Sequence, residues 1–206
     1  MKKNLYSLIL SERVVYGIDR LAQQLGTNRS HLIDEILADY LQLPTPEKTV
    51  YSVFRNMEEL MRDFFPVSYD RYDNVFSLKR ALSYKYRPTL RYEIALFPSS
   101  EKTRAELRVT YRTQSRELEK TLNDFFQIFQ SIEKGAGKAT EYAVDEAKWT
   151  RVKYFDSGHG VSDMANELSH LVKVFDAMLE KYISNGYSSY DEIYADYNAK
   201  IKRLGE

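Results

Sequence analysis

The chain has no cysteine, which excludes disulfides and thiolate metal sites and suits an intracellular compartment. Its three histidines, His31, His159 and His170, are scattered and leave little from which to build a metal site. No apolar run is long enough to span a bilayer. The basic-then-apolar start MKKNLYSLIL has the outline of a signal peptide, but Ser11-Glu12-Arg13 cuts the apolar run short and no small-residue cleavage site follows. No nucleophile motif, phosphate loop or metal-ligand spacing is present, so neither an enzyme nor a cofactor is expected. His159 and His170 read as surface residues.

What is present is a balanced, foldable composition. Apolar residues make up 43% and charged residues 29%, enough for a packed core. Net charge is zero but unevenly spread. Residues 1–45 carry five basic and five acidic side chains, residues 71–120 twelve basic and six acidic, and residues 141–206 eight basic and twelve acidic.

The sharpest boundary is LQLPTPEKT, where Pro44 and Pro46 are expected to stop a helix and stiffen a linker. This divides the chain into residues 1–43, a linker over 44–49, and residues 50–206. The first part reads as a strand over 4–10, a helix over 12–25 capped by Ser11, a Gly26 turn, and a helix over 29–42 capped by Asn28. Its apolar stripes are Val14, Val15, Ile18, Leu21, Ala22 and Leu25, then Leu32, Ile33, Ile36, Leu37, Tyr40 and Leu41.

The second part reads as α+β, with an antiparallel hairpin and long helices. TVYSVF (49–54) looks like a strand. Asn56 and Glu59 form a capping-box pattern for a short helix carrying Met57, Leu60, Met61 and Phe64, which Pro66 ends. Two strands over 82–97 and 104–112 are joined by a medium loop. A helix over about 115–133 ends at Gly135 and Gly137, and WTRVKYF (149–155) is a further strand. Two helices close the chain, the first over 161–184 and the second carrying Ile193, Tyr197, Ile201 and Leu204. The first of them has too wide an apolar band for a two-stranded zipper, so packing within the chain is expected.

A strand-helix-helix of 43 residues buries too little to stand alone, and its single strand leaves both edges open. A second copy would pair the strands antiparallel about a two-fold axis over four helices. The pattern Leu8-Ile9-Leu10, Ser11-Glu12, Ile18…Leu21-Ala22…Leu25-Gly26, Asn28-Arg29-Ser30, Leu32-Ile33…Ile36-Leu37…Tyr40-Leu41 resembles the ribbon-helix-helix family over residues 3–43. The resemblance implies a homodimer, or a higher homo-oligomer, that docks a β-ribbon in the major groove of double-stranded DNA. It implies that Lys3, Leu5, Ser7 and Ile9 face the bases while Tyr6, Leu8 and Leu10 face the helices. It also implies that Asn28, Arg29 and Ser30, at the start of the second helix, clamp a phosphate.

The family usually places polar side chains where this chain has Leu5 and Ile9. Those two can touch thymine methyls or read shape, but they cannot hydrogen-bond a base edge. A one-residue slip would instead expose Asn4, Tyr6 and Leu8 and bury Ser7. Transcriptional repression at the nucleoid is the function this implies. A plasmid copy-control, partition or conjugation protein, or an antitoxin-like scaffold whose ribbon only dimerises, stands beside it.

In the second part, Lys85, Arg87, Arg91, Arg104, Arg108 and Arg112 are expected to share the outer face of the hairpin. Tyr84, Tyr86, Leu90, Tyr92, Ile94 and Leu96 are expected on the other face. That outer face reads either as a surface for an anionic ligand or as the solvated side of an amphipathic sheet. An unknown ligand or protein partner is expected at this domain.

Overall fold

A computed structural model of the chain describes residues 5–41, 43, 45–69, 75–99, 101–136, 141–145 and 148–202. Lys3, Asn4, Pro44, Gly137 and Leu204 lie outside the described residues. The elements are α1 (Glu12–Gln24), α2 (Arg29–Tyr40), α3 (Pro46–Met61), β1 (Val67–Tyr69), β2 (Val75–Ala81), β3 (Thr89–Pro98), β4 (Lys102–Tyr111), α4 (Arg116–Gly135), β5 (Glu141–Asp145), β6 (Lys148–Asp156), α5 (Val161–Ile183) and α6 (Tyr190–Lys202). The protein is α+β, and its contacts divide it into two units at Thr49–Val50, inside α3.

Local chemistry explains most of the first unit. The Schellman pattern closes α1: Thr27 N–H donates to Ala22 O at 3.0 Å and Gly26 N–H to Gln23 O at 3.3 Å. Gly26 sits at φ +65°, a conformation glycine adopts without strain. Asn28 caps α2 by accepting from His31 N–H at 2.9 Å. Lys48 satisfies the far end of α2, donating to the carbonyls of Ala38 and Leu43, each at 3.3 Å, and pairing with Asp39 at 2.5 Å.

The expected strand over 49–54 is instead helix. Thr45 caps α3, its hydroxyl accepting from Lys48 N–H at 3.2 Å, and Pro46 takes the first helical position, where its missing N–H is no loss. Pro46 therefore starts a helix, and residues 46–49 are its first turn. Val50, Val53, Phe54, Met57 and Met61 are buried at helical spacing. Asn56 lies in mid-helix, so it caps nothing, and Phe64 is exposed in the turn that follows.

In the second unit the strands form one antiparallel sheet in the order β1-β2-β3-β4-β6-β5. Its inner face, with Phe76, Leu78, Leu90, Tyr92, Ile94, Leu107, Val109, Trp149 and Phe155, joins one core with apolar residues of α3, α4, α5 and α6. Trp149 and Phe175 stack with centroids 5.0 Å apart, and Phe129 meets Phe175 at 4.9 Å. The band on α5 packs within the chain, against α4, α6 and the sheet core.

The long strand expected over 82–97 is two elements. VFSLKRA, which alternates Phe76 and Leu78 inward, is β2, and residues 82–88 form the turn into β3. Tyr86 and Arg87 take φ of +65° and +45° there, so Tyr84, Lys85, Tyr86 and Arg87 are not strand residues. Among the described residues, no helix is long and apolar enough to cross a membrane.

Two polar networks lie beside the core. Glu133 on α4 is fully buried and accepts from Arg151 of β6 through Nε at 2.7 Å and Nη2 at 2.9 Å. Tyr197 donates to the same carboxylate at 3.0 Å, and Tyr142 donates as well. Burial alone would raise the Glu133 carboxyl, but Arg151 and the two hydroxyls hold it below its ordinary value. Asp176 on α5 pairs with Arg80 and accepts from the Tyr92 hydroxyl at 2.8 Å. Burial pushes its carboxyl up to about 6.

Candidate nucleic-acid interface

In the first unit, apolar residues outnumber the surfaces that can cover them. Val15, Ile18, Ala22 and Leu25 of the first helical stretch and Leu32 and Ala38 of α2 are buried or half-buried. Of the face expected to be buried on α2, only Leu32 is fully so; Ile36, Leu37, Tyr40 and Leu41 are exposed, because the apolar side of α2 is wider than the contact that one neighbouring helix can cover. Thirteen of the twenty exposed large apolar side chains among the described residues fall within residues 5–43, about a fifth of the chain. Soluble monomers rarely show such a concentration.

Residues 5–10 are extended and pair with no strand among the described residues. A strand is therefore not formed in the single chain, since a ladder needs a partner. The side chains nevertheless alternate. Leu5 and Ile9 are fully exposed, at 100% and 102%, whereas Leu8 and Leu10 retain 59% and 39% exposure and Tyr6 79%. Leu8 and Leu10 are thus partly covered where Leu5 and Ile9 are not. Ser7 is exposed with the odd set.

At the start of α2 the arrangement differs from a free phosphate clamp. Arg29 meets Asp19 of α1 in a bidentate pair, Nε to Oδ1 and Nη2 to Oδ2, both at 2.6 Å. The hydrogen bond and charge of Arg29 hold Asp19 below its usual value, and Asp19 raises Arg29 in return. The guanidinium thus ties α1 to α2 across the Gly26 turn. The Asn28 side chain is occupied by the His31 amide, but among the described residues the amides of Arg29 and Ser30 meet no acceptor and Ser30 is exposed. Those two amides and the helix dipole remain available to an anion. Asp19 was not anticipated. Its signal was an acid ten residues before Arg29, on the far side of a glycine turn.

In the second unit the expected basic face is split. Arg104 and Arg108 both engage Glu106, Arg108 through Nε at 2.8 Å, and Glu106 is buried between them. Arg91 pairs with Glu93 at 3.1 Å and donates to Ser77 at 3.3 Å. Lys85 lies 5.2 Å from the Tyr86 ring centroid, in the turn. Arg87 and Arg112 make no ion pair among the described residues and flank an open basin. Lys79 and Lys148 line the same basin but were missed, Lys79 because β2 was not read as a strand. His159 packs its ring edge-on to Phe155 at 5.4 Å, and His170, half-buried, meets Lys200 O at 2.9 Å, so His170 braces α6 rather than facing solvent.

No family model matches the chain, and no curated protein or solved structure does either.

Proposed function

We propose that the protein is a homodimeric, sequence-specific DNA-binding regulator, acting as a repressor through a β-ribbon that two copies build from residues 3–10. The observation that carries this reading is the first unit's excess of exposed apolar side chains, combined with the phase of exposure along residues 5–10. A second copy is the occupant that matches it. The two extended segments are each other's missing ladder partners, and the half-open faces of Leu8, Leu10, Ile36 and Leu37 supply the seam. The ribbon then presents Lys3, Leu5, Ser7 and Ile9 to the major groove, and the amides of Arg29 and Ser30 hold a phosphate.

A dimerisation module that reads no bases is the second reading. It is favoured by Leu5 and Ile9 on the groove face and by the engagement of Arg29 with Asp19. Selection from a random duplex pool separates the two. Enrichment of a two-fold symmetric motif, bound with an affinity that falls steeply with salt, is the outcome expected of a regulator. A stable dimer that enriches nothing would sink it.

A further inference from the structure

The sheet of the second unit carries a site of its own on the face turned away from the helices. An open basin of about 1070 Å³ is lined by five cations, Lys79, Arg87, Arg91, Arg112 and Lys148. Two carboxylates, Glu93 and Asp145, line it as well, and Glu93 pairs with Arg91 at 3.1 Å. Lys79 and Arg91 lie directly opposite each other in the β2–β3 register, and the row continues through Thr110 to Lys148. Like charges placed opposite across a ladder are destabilising. Two consecutive non-glycine residues at positive φ, Tyr86 and Arg87, bring a third cation to the rim, a second local cost at the same place. Lys79, Arg87 and Arg112 make no ion pair among the described residues.

We propose that this basin binds a compact, multiply charged phosphate compound. The guanidinium forks of Arg87 and Arg112 suit bidentate phosphate contacts, Lys79 adds a point charge, and Arg91 is already shared with Glu93. A small anion fits better than a nucleic-acid backbone. Further along the same face Arg104 and Arg108 are neutralised by Glu106, so the positive field stops instead of running on as a track. Glu93 and Asp145 in the lining would repel a continuing phosphodiester chain. The proposal is independent of DNA reading by the first unit.

The test is calorimetric titration of the full chain with inorganic tripolyphosphate, with a random-sequence duplex oligonucleotide as the second arm. Saturable tripolyphosphate binding is expected. It should weaken about tenfold or more in Arg112→Gln and in Lys79→Gln and stay within about twofold in Arg104→Gln, whose charge is already matched. Arg87→Gly supplies a control for folding. It removes the guanidinium and the positive-φ strain together, so thermal unfolding should shift up by about 2–4 °C while tripolyphosphate binding weakens. No saturable binding, or equal loss in Arg104→Gln, overturns the proposal. So does loss of duplex binding in Arg112→Gln without any tripolyphosphate binding, which would make the face a nucleic-acid surface.

Discussion

The phase of the N-terminal strand can be tested with two adjacent residues. Leu8 keeps 59% of its surface in the single chain, whereas Ile9 is fully exposed. In a paired ribbon Leu8 joins the dimer core and Ile9 stays on the groove face. Fully burying a leucine side chain contributes about 1.5–3 kcal/mol. The part of Leu8 still open brings this to about 1–2 kcal/mol per copy, and two-fold symmetry doubles it to about 2–4 kcal/mol per dimer. Leu8→Ala should therefore raise the dimer dissociation constant about 30- to 1000-fold, and Ile9→Ala by less than about threefold. Sedimentation velocity over a concentration series measures both. If Ile9→Ala weakens the dimer as much as Leu8→Ala, the two faces are reversed. If neither variant changes it, the strand is not the seam.

Other perturbations test other parts of the molecule. Glu133→Gln leaves Arg151 buried without a counter-charge and should destabilise the chain by about 3–5 kcal/mol, whereas the Glu133→Met/Arg151→Met pair should recover only part of that loss, because the hydroxyls of Tyr197 and Tyr142 lose their acceptor. A double variant less stable than Glu133→Gln in urea unfolding would contradict this. Asp176 has a folded carboxyl raised to about 6 by burial, above its ordinary 3.8. Its stabilising contribution is therefore full below about pH 4 and lost as pH rises to about 6, a change on the order of 3 kcal/mol. Asp176→Asn should remove that fall from its own stability-pH curve, so the difference between parent and variant should change by that amount across the window, and a difference curve flat there would refute the assignment. Asp19→Asn frees Arg29, and Arg29→Gln deletes it. If Arg29 reaches a phosphate, filter binding at stepped salt should show Asp19→Asn binding DNA at least as tightly as the parent. Arg29→Gln should bind more weakly, with a salt slope shallower by about one for each phosphate it no longer neutralises. Equal weakening in both variants would mean that the pair acts only as a helix clamp.

The helices of the first unit and the long helices of the second were legible because each carried apolar residues at helical spacing over several turns, helped at α2 by the Asn28 cap before Leu32. The error at 49–54 came from reading V-Y-S-V-F as alternation and Pro46 as a stop. Val50, Tyr51, Val53 and Phe54 make a short apolar run that periodicity alone cannot assign, the i, i+3, i+4, i+7 spacing emerging only once Met57 is included, and Thr45-Pro46 is a helix start as readily as a linker. The turn at 82–88 was invisible because it holds no glycine, and Tyr86 and Arg87 take positive φ against their own preference. Charges on the candidate sites were the least legible. Arg29 looked free because its partner Asp19 is fixed by packing geometry across a turn, whereas Glu106, two residues from Arg104 on the same strand face, was a neighbour that alternation already supplied.

These pairings bear on how the proposed regulator could work. Residues 1–45 are charge-balanced; within them Asp19 holds Arg29, and Asp39 is matched by Lys48 just beyond. A unit so neutralised has little of the phosphate attraction that supplies most non-specific affinity. Any DNA binding by it would lean on the two-fold doubling of a few amide and hydroxyl contacts, and on the fit of Leu5 and Ile9 to thymine methyls or groove shape. The exposed apolar side chains then have a double role in this reading. Those on the even-numbered face hold the dimer together, and those on the odd-numbered face discriminate by contact and shape in place of the hydrogen bonds they cannot make. Weak electrostatics would make the dimer, rather than the single chain, the unit that DNA can select.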